Sequence, residues 1–112
     1  MLGYEADVHE LAPTVTVRQL EALGELPYGD RLPYLGTLIS RTVAHVPYRT
    51  WVDHLLEAAA EGRARILHDG GYPFLFHAPG EVVKANFASA DVEEISSLAN
   101  GRWYLVEAWD QS

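Results

Sequence analysis

No cysteine occurs in the 112 residues of this chain. Disulfides, thiolate metal sites and a cysteine nucleophile are thereby excluded. No apolar stretch reaches the roughly 18 residues that a membrane span needs. The start, Met1-Leu2-Gly3-Tyr4-Glu5, has neither the basic region nor the long apolar run of a secretory leader. These absences predict a cytoplasmic protein with no membrane span. Basic residues are scarce too: eight Lys and Arg stand against 16 Asp and Glu, a formal net charge of −8. That sign disfavours phosphate backbones, so no nucleic-acid partner is expected. The sequence holds no G-x-S-x-G, no P-loop and no Rossmann fingerprint. Its five histidines, at positions 9, 45, 54, 68 and 77, fall in no metal-binding spacing such as H-E-x-x-H. Neither a metal nor a cofactor is expected from spacing alone; a metal site would require distant residues to converge.

What is present is an ordinary globular balance, 48% apolar and 21% charged. The length predicts one domain, residues 1–112, large enough to bury a core. From Arg31 to Val52 the chain carries Arg31, Arg41 and Arg49 and no acidic residue. This local positive segment is either chance spacing or a docking face for an acidic group or carrier protein.

Residues 1–13 are weakly patterned. Leu2, Tyr4 and Ala6 alternate with polar residues, giving a short strand or a loosely ordered arm that Pro13 ends. Thr14 or Thr16 can cap a helix to about Leu26. Pro27-Tyr28-Gly29-Asp30 is a turn by residue type. Leu32, Leu35, Leu38 or Ile39, Thr42 or Val43, and Val46 then recur at helical spacing, predicting a helix over 32–46 that Pro47 breaks. A third helix is predicted over 48–60. Arg63–His68 and Tyr72–Ala78, flanking Asp69-Gly70-Gly71, read as a hairpin. Glu81–Phe87 reads as a strand, Asp91–Ala99 as a capped short helix, and Trp103–Trp109 as a strong last strand. Helices first and an antiparallel sheet afterwards predict an α+β fold, with N-terminal helices packed on the sheet.

Alternation along the last strand places Trp103, Leu105, Glu107 and Trp109 on one face. A carboxylate between Leu105 and Trp109 is placed for proton transfer if buried, and is merely solvated if the strand frays there. On a helix, Tyr48 and Trp51 at i and i+3 would share a face. They would form either core or site, with His45 in the same cleft. Arg49 can hold a carboxylate or phosphate.

These residues carry a resemblance. Leu35-Gly36, Arg49, Trp51 and Leu55, the hairpin before Tyr72-Pro73, and Gly101 with Trp103 follow the order of the RTX toxin-activating lysine acyltransferases, which the chain resembles from about Leu35 to Glu107. The resemblance implies a GNAT-like half-domain and an acyl carrier protein as acyl donor. It also marks departures. Tyr48 stands where that family has its catalytic histidine, and Val106 aligns with its catalytic aspartate. The sequence ends five residues after Glu107, about halfway through the family's domain. A tyrosine with a pKa of about 10 is a poor base at neutral pH but can donate to an oxyanion.

The reading that follows is a small biosynthetic enzyme on an acyltransferase-like scaffold. It would act on an acyl-derived small molecule by acyl transfer or cyclisation. Tyr48 and Glu107 are its catalytic candidates. Arg49, Trp51, His45, Trp103 and Trp109 are its substrate-binding candidates. A homodimer is expected to complete the sheet. The alternative is a non-catalytic binding module or partner subunit, whose aromatic pocket clamps a small molecule or a carrier protein.

Overall fold

The computed structural model describes residues 3–70 and 73–110, with Tyr48 and Arg49 described by their backbone alone. It is an α+β fold. Strand β1 (Tyr4–Leu11) is followed by helices α1 (Val17–Glu25) and α2 (Tyr28–Leu38), then β2 (Ile39–Thr50) and α3 (Asp53–Ala60). Strands β3 (Arg65–His68) and β4 (Phe74–Pro79) form the hairpin. Helices α4 (Gly80–Asn86) and α5 (Glu93–Ser96) lead to β5 (Trp103–Asp110). The strands make one sheet in the order β2-β1-β5-β4-β3, antiparallel at every pairing.

Period-2 alternation gives the sheet two buried faces. Ala6, Val8, Ala44, Val46, Phe76, Ala78, Tyr104, Val106 and Ala108 meet Leu55 of α3, Val82 and Val83 of α4 and Ile95 of α5. On the other face Leu75 and Leu105 meet Leu20 and Leu23 of α1 and Leu35 and Leu38 of α2. The N-terminal helices thus pack on the antiparallel sheet as expected, and a second helical layer covers its back. Thr16 caps α1 in a reciprocal pair with Gln19, which satisfies helix donors that would otherwise be orphaned.

Four expectations are corrected: Tyr28–Asp30, read as a turn, opens α2, the helix predicted over 48–60 starts only at Asp53, and two further segments change type. The helix predicted over 32–46 stops at Leu38, and Ile39–Thr50 is a strand. Its apolar spacing fits both periods, and its β-branched residues (Ile39, Thr42, Val43, Val46, Thr50) favour the pleated surface. Pro47 is compatible because β2 is an edge strand. Tyr48 therefore lies in a strand, and the helical face it was to share with Trp51 does not exist. The strand predicted over 81–87 is helix α4. Val83 and Phe87, both buried, are four residues apart and take one helical side. Asn86 then serves the next layer: its Oδ1 accepts from the N–H groups of His54 and Leu55, and its Nδ2 donates to the Trp51 carbonyl. That side chain caps α3, whose own Val52 cannot. Of the two readings of residues 1–13, the strand holds: β1 is an interior strand between β2 and β5.

Candidate functional site

The centre of interest is polar and lies on the α1–α2 side of the sheet. Register sets it. Glu107 on β5 is opposite Asp7 on β1, and Asp7 is opposite His45 on β2. One step along, His9 is opposite Leu105 and Thr42. Leu75 and Leu105 of the same face sit under the helices. Asp7 and His45 lie farther out and are partly exposed.

These groups form two sets, the first a chain of hydrogen bonds and the second a hydrogen bond with a longer ion pair. In the first, His9 Nε2 is 2.9 Å from Glu107 Oε1, and His9 Nδ1 is 2.9 Å from Thr42 Oγ1. His9 is 5% exposed and Glu107 7%, whereas Thr42 is exposed. With Glu107 ionised, Nε2–H donates to the carboxylate. The lone pair of Nδ1 is then left to accept from the Thr42 hydroxyl. In the second, His45 Nδ1 is 2.7 Å from Asp7 Oδ1, and Nε2 is 3.6 Å from Glu5 Oε1. The hydrogen bond to Asp7 raises the His45 pKa above its ordinary 6.5, aided by the charges of Asp7 and Glu5 and opposed by burial.

A β-bulge makes the first chain. Val8 pairs with Ala44, but His9 pairs with Thr42, so Val43 is an extra residue on β2. Ala44 and Val46 point into the core behind the sheet. Unbroken alternation would send Thr42 the same way. The bulge turns it over, onto the face of His9 and His45. Thr42, Val43, Ala44 and His45, with Glu94 of α5, line a shallow depression of about 290 Å³. His45 supplies the only basic group among those residues.

Of the sequence candidates, Glu107 and His45 lie on one sheet face in the strands on either side of Asp7, and of the two His45 is the one hydrogen-bonded to it. Trp109 is adjacent, opposite Glu5. Trp103 is on the same face but farther along the strand, with its ring centroid 4.7 Å from that of His77. Trp51 is 44% exposed and lies beside Asp53, His54 and Asn86 in a different depression, so the aromatic pocket of three tryptophans is not formed. The side chains of Tyr48 and Arg49 are outside the described residues. Arg31 is buried and donates to the Leu26 carbonyl. Arg41 pairs with Glu10, which Arg102 also holds.

His9, Asp7 and Thr42 were missed as site residues. The polar series Glu5, Asp7, His9 does alternate with Tyr4, Ala6, Val8 in the sequence, but only pairing with β5 puts it against Glu107. The same pairing brings together the one His/carboxylate group among the described residues that can hold a metal ion. Ligand atoms of Asp7, His9 and Glu107 all lie within 4.8 Å of one another. Comparison with models of known families, with curated proteins and with solved structures finds no match to this chain, so the acyltransferase resemblance rests on the residues quoted for it.

Proposed function

We propose that the protein is a small acyl-transfer enzyme in which Thr42 is the nucleophile, His9 its base and Glu107 the group that orients the base. The observation that carries this reading is the continuous Thr42–His9–Glu107 relay, with both links at 2.9 Å. A hydroxyl within reach of an imidazole that a buried carboxylate holds in place is the general arrangement for activating an alcohol. Glu107 keeps the proton on Nε2, which leaves Nδ1 free to take the one on Thr42.

The reaction balances on these groups. Thr42 Oγ bonds to the carbonyl carbon of an activated acyl compound while its proton moves to His9 Nδ1. The tetrahedral intermediate expels its leaving group, which takes that proton from His9. A threonyl ester remains. An acceptor alcohol, amine or water then attacks it, with His9 again moving the proton. His45, whose protonated form the hydrogen bond to Asp7 favours, lines the same depression and is placed to bind the carbonyl oxygen or an anionic part of the substrate. In this reading His45 stays a substrate-binding residue, Glu107 orients the base instead of moving a proton itself, and Thr42 and His9 take the place of Tyr48.

The test uses p-nitrophenyl acetate and p-nitrophenyl octanoate as acyl donors, with intact-mass and peptide-level mass spectrometry. One acyl adduct is expected on Thr42, absent in Thr42→Val. Its rate of formation is expected to fall about 100-fold or more in His9→Gln, the range of a lost general base. Circular dichroism establishes that each variant folds. An adduct found only on Lys84, or an equal rate in His9→Gln, would sink the reading and favour a non-catalytic binding module.

A further inference from the structure

We infer that Asp7, His9 and Glu107 form a binding site for one divalent transition-metal ion, and that occupation of this site disarms the relay. The second clause rests on the acyl-transfer reading; the first does not. Two negative groups, Glu107 and Asp7, are directly opposite each other on adjacent strands. Like charges so placed repel, and one of them is buried. A cation between them removes that repulsion. The third ligand is already in place, because His9 Nε2 is 2.9 Å from Glu107 Oε1.

The dimensions agree. Ligand atoms each about 2.1 Å from a tetrahedral ion stand about 3.4 Å apart. The three atoms here are all within 4.8 Å of one another, with the closest pair at 2.9 Å. Closing a 4.8 Å separation to that spacing takes up to about 0.7 Å from each of two side chains, within the reach of rotamer adjustment. Two carboxylate oxygens and an imidazole nitrogen suit zinc, manganese or iron(II) better than calcium or magnesium, which prefer oxygen alone. Three protein ligands leave a fourth position for water or substrate. Asp7 is the most exposed of the three and marks the entrance. His45 bonded to Asp7 and Thr42 bonded to His9 Nδ1 are outer partners of the kind that orient ligands.

The consequence for Thr42 follows from one proton. Neutral His9 carries a single ring proton, on Nε2 while it faces Glu107. A metal ion on Nε2 displaces it to Nδ1. Nδ1–H then donates to Thr42 Oγ1, which can no longer pass a proton to that nitrogen. The nucleophile loses its base through this change of tautomer alone.

Isothermal titration calorimetry with zinc chloride, in buffer that does not chelate, tests the site on the intact chain. Saturable binding of one zinc per chain is expected, with magnesium chloride giving none. Asp7→Asn, a change at the partly exposed ligand that leaves the buried pair intact, is expected to weaken binding about 100-fold or more, and His45→Gln about 10-fold. Zinc binding is read by calorimetry and acylation by mass spectrometry of the metal-free chain, so the two readings can fail separately. Absence of saturable binding would overturn the proposal. So would zinc binding unchanged in folded Asp7→Asn, which would place the ion at another histidine.

Discussion

Substitution of Gly24 by alanine is expected to destabilise the protein by about 3 kcal/mol, at the upper end of what forced overpacking produces. Gly24 lies near the end of α1, where the helix crosses β3. A Cβ there would stand 1.7 Å from the Leu67 carbonyl oxygen and 2.8 Å from its carbon. These are backbone atoms of a strand, so no side-chain rotation relieves the clash. Either α1 lifts or β3 moves. Lifting α1 loosens Leu20 and Leu23 from Leu75 and Leu105, the packing that shields the sheet beside Glu107. Gly36, inside α2, is the control. A Cβ there meets nothing within 4 Å, so Gly36→Ala should gain about 0.5–1 kcal/mol from helix propensity alone. Urea denaturation of both variants measures the contrast. Equal midpoints for the two would refute the close approach of α1 to β3.

Acid should weaken the fold through His77 by up to about 3 kcal/mol. Burial, reinforced by the charge of Arg65, lowers its pKa from 6.5 to about 4. Its Nδ1 has no hydrogen-bond partner, and its ring packs against Trp103. The folded protein therefore keeps His77 neutral where the unfolded chain takes up a proton. Its contribution is complete above pH 6.5 and drains away as the pH falls toward 4. His77→Leu removes both the titration and the unpartnered nitrogen. The difference in unfolding free energy between wild type and variant should shift toward the variant by about 2–3 kcal/mol between pH 7 and pH 4.5. A difference that does not change with pH would show that His77 titrates normally.

The residues explain what could be read in advance and what could not. The last strand was legible because Trp103–Trp109 is dense in β-formers and its alternation is unbroken, which put Glu107 on the Leu105 face and left its burial to be decided by the helices that cover that face. The hairpin was legible from its glycines, and α1 from its cap. Residues 39–46 were not, since Ile39, Val43 and Val46 satisfy a helix as well as a strand. The choice between them is made by pairing with β1, which is not local. The same holds for the site. Asp7, His9 and Thr42 look like surface residues of separate segments. The bulge at Val43 that turns Thr42 over has no glycine or proline at that residue to announce it, although Pro47 lies farther along the strand. Pairing and bulge are properties of the sheet, and both were needed to see the relay.

His9 and Glu107 are separated by 98 positions in the sequence, and β1 is flanked in the sheet by β2 and β5. Synthesis makes β1 first among the strands and β5 last, so throughout elongation one flank of β1 has no neighbour. Its ladder hydrogen bonds on that side wait for the final strand, and closing so long a loop is the slow kind of folding event. The hydroxyl, the imidazole and the carboxylate meet only when that strand docks. Any competence the relay confers therefore arrives in one step, late, and together with the completed sheet, so a partly made chain carries Thr42 and His9 without the carboxylate that aligns them.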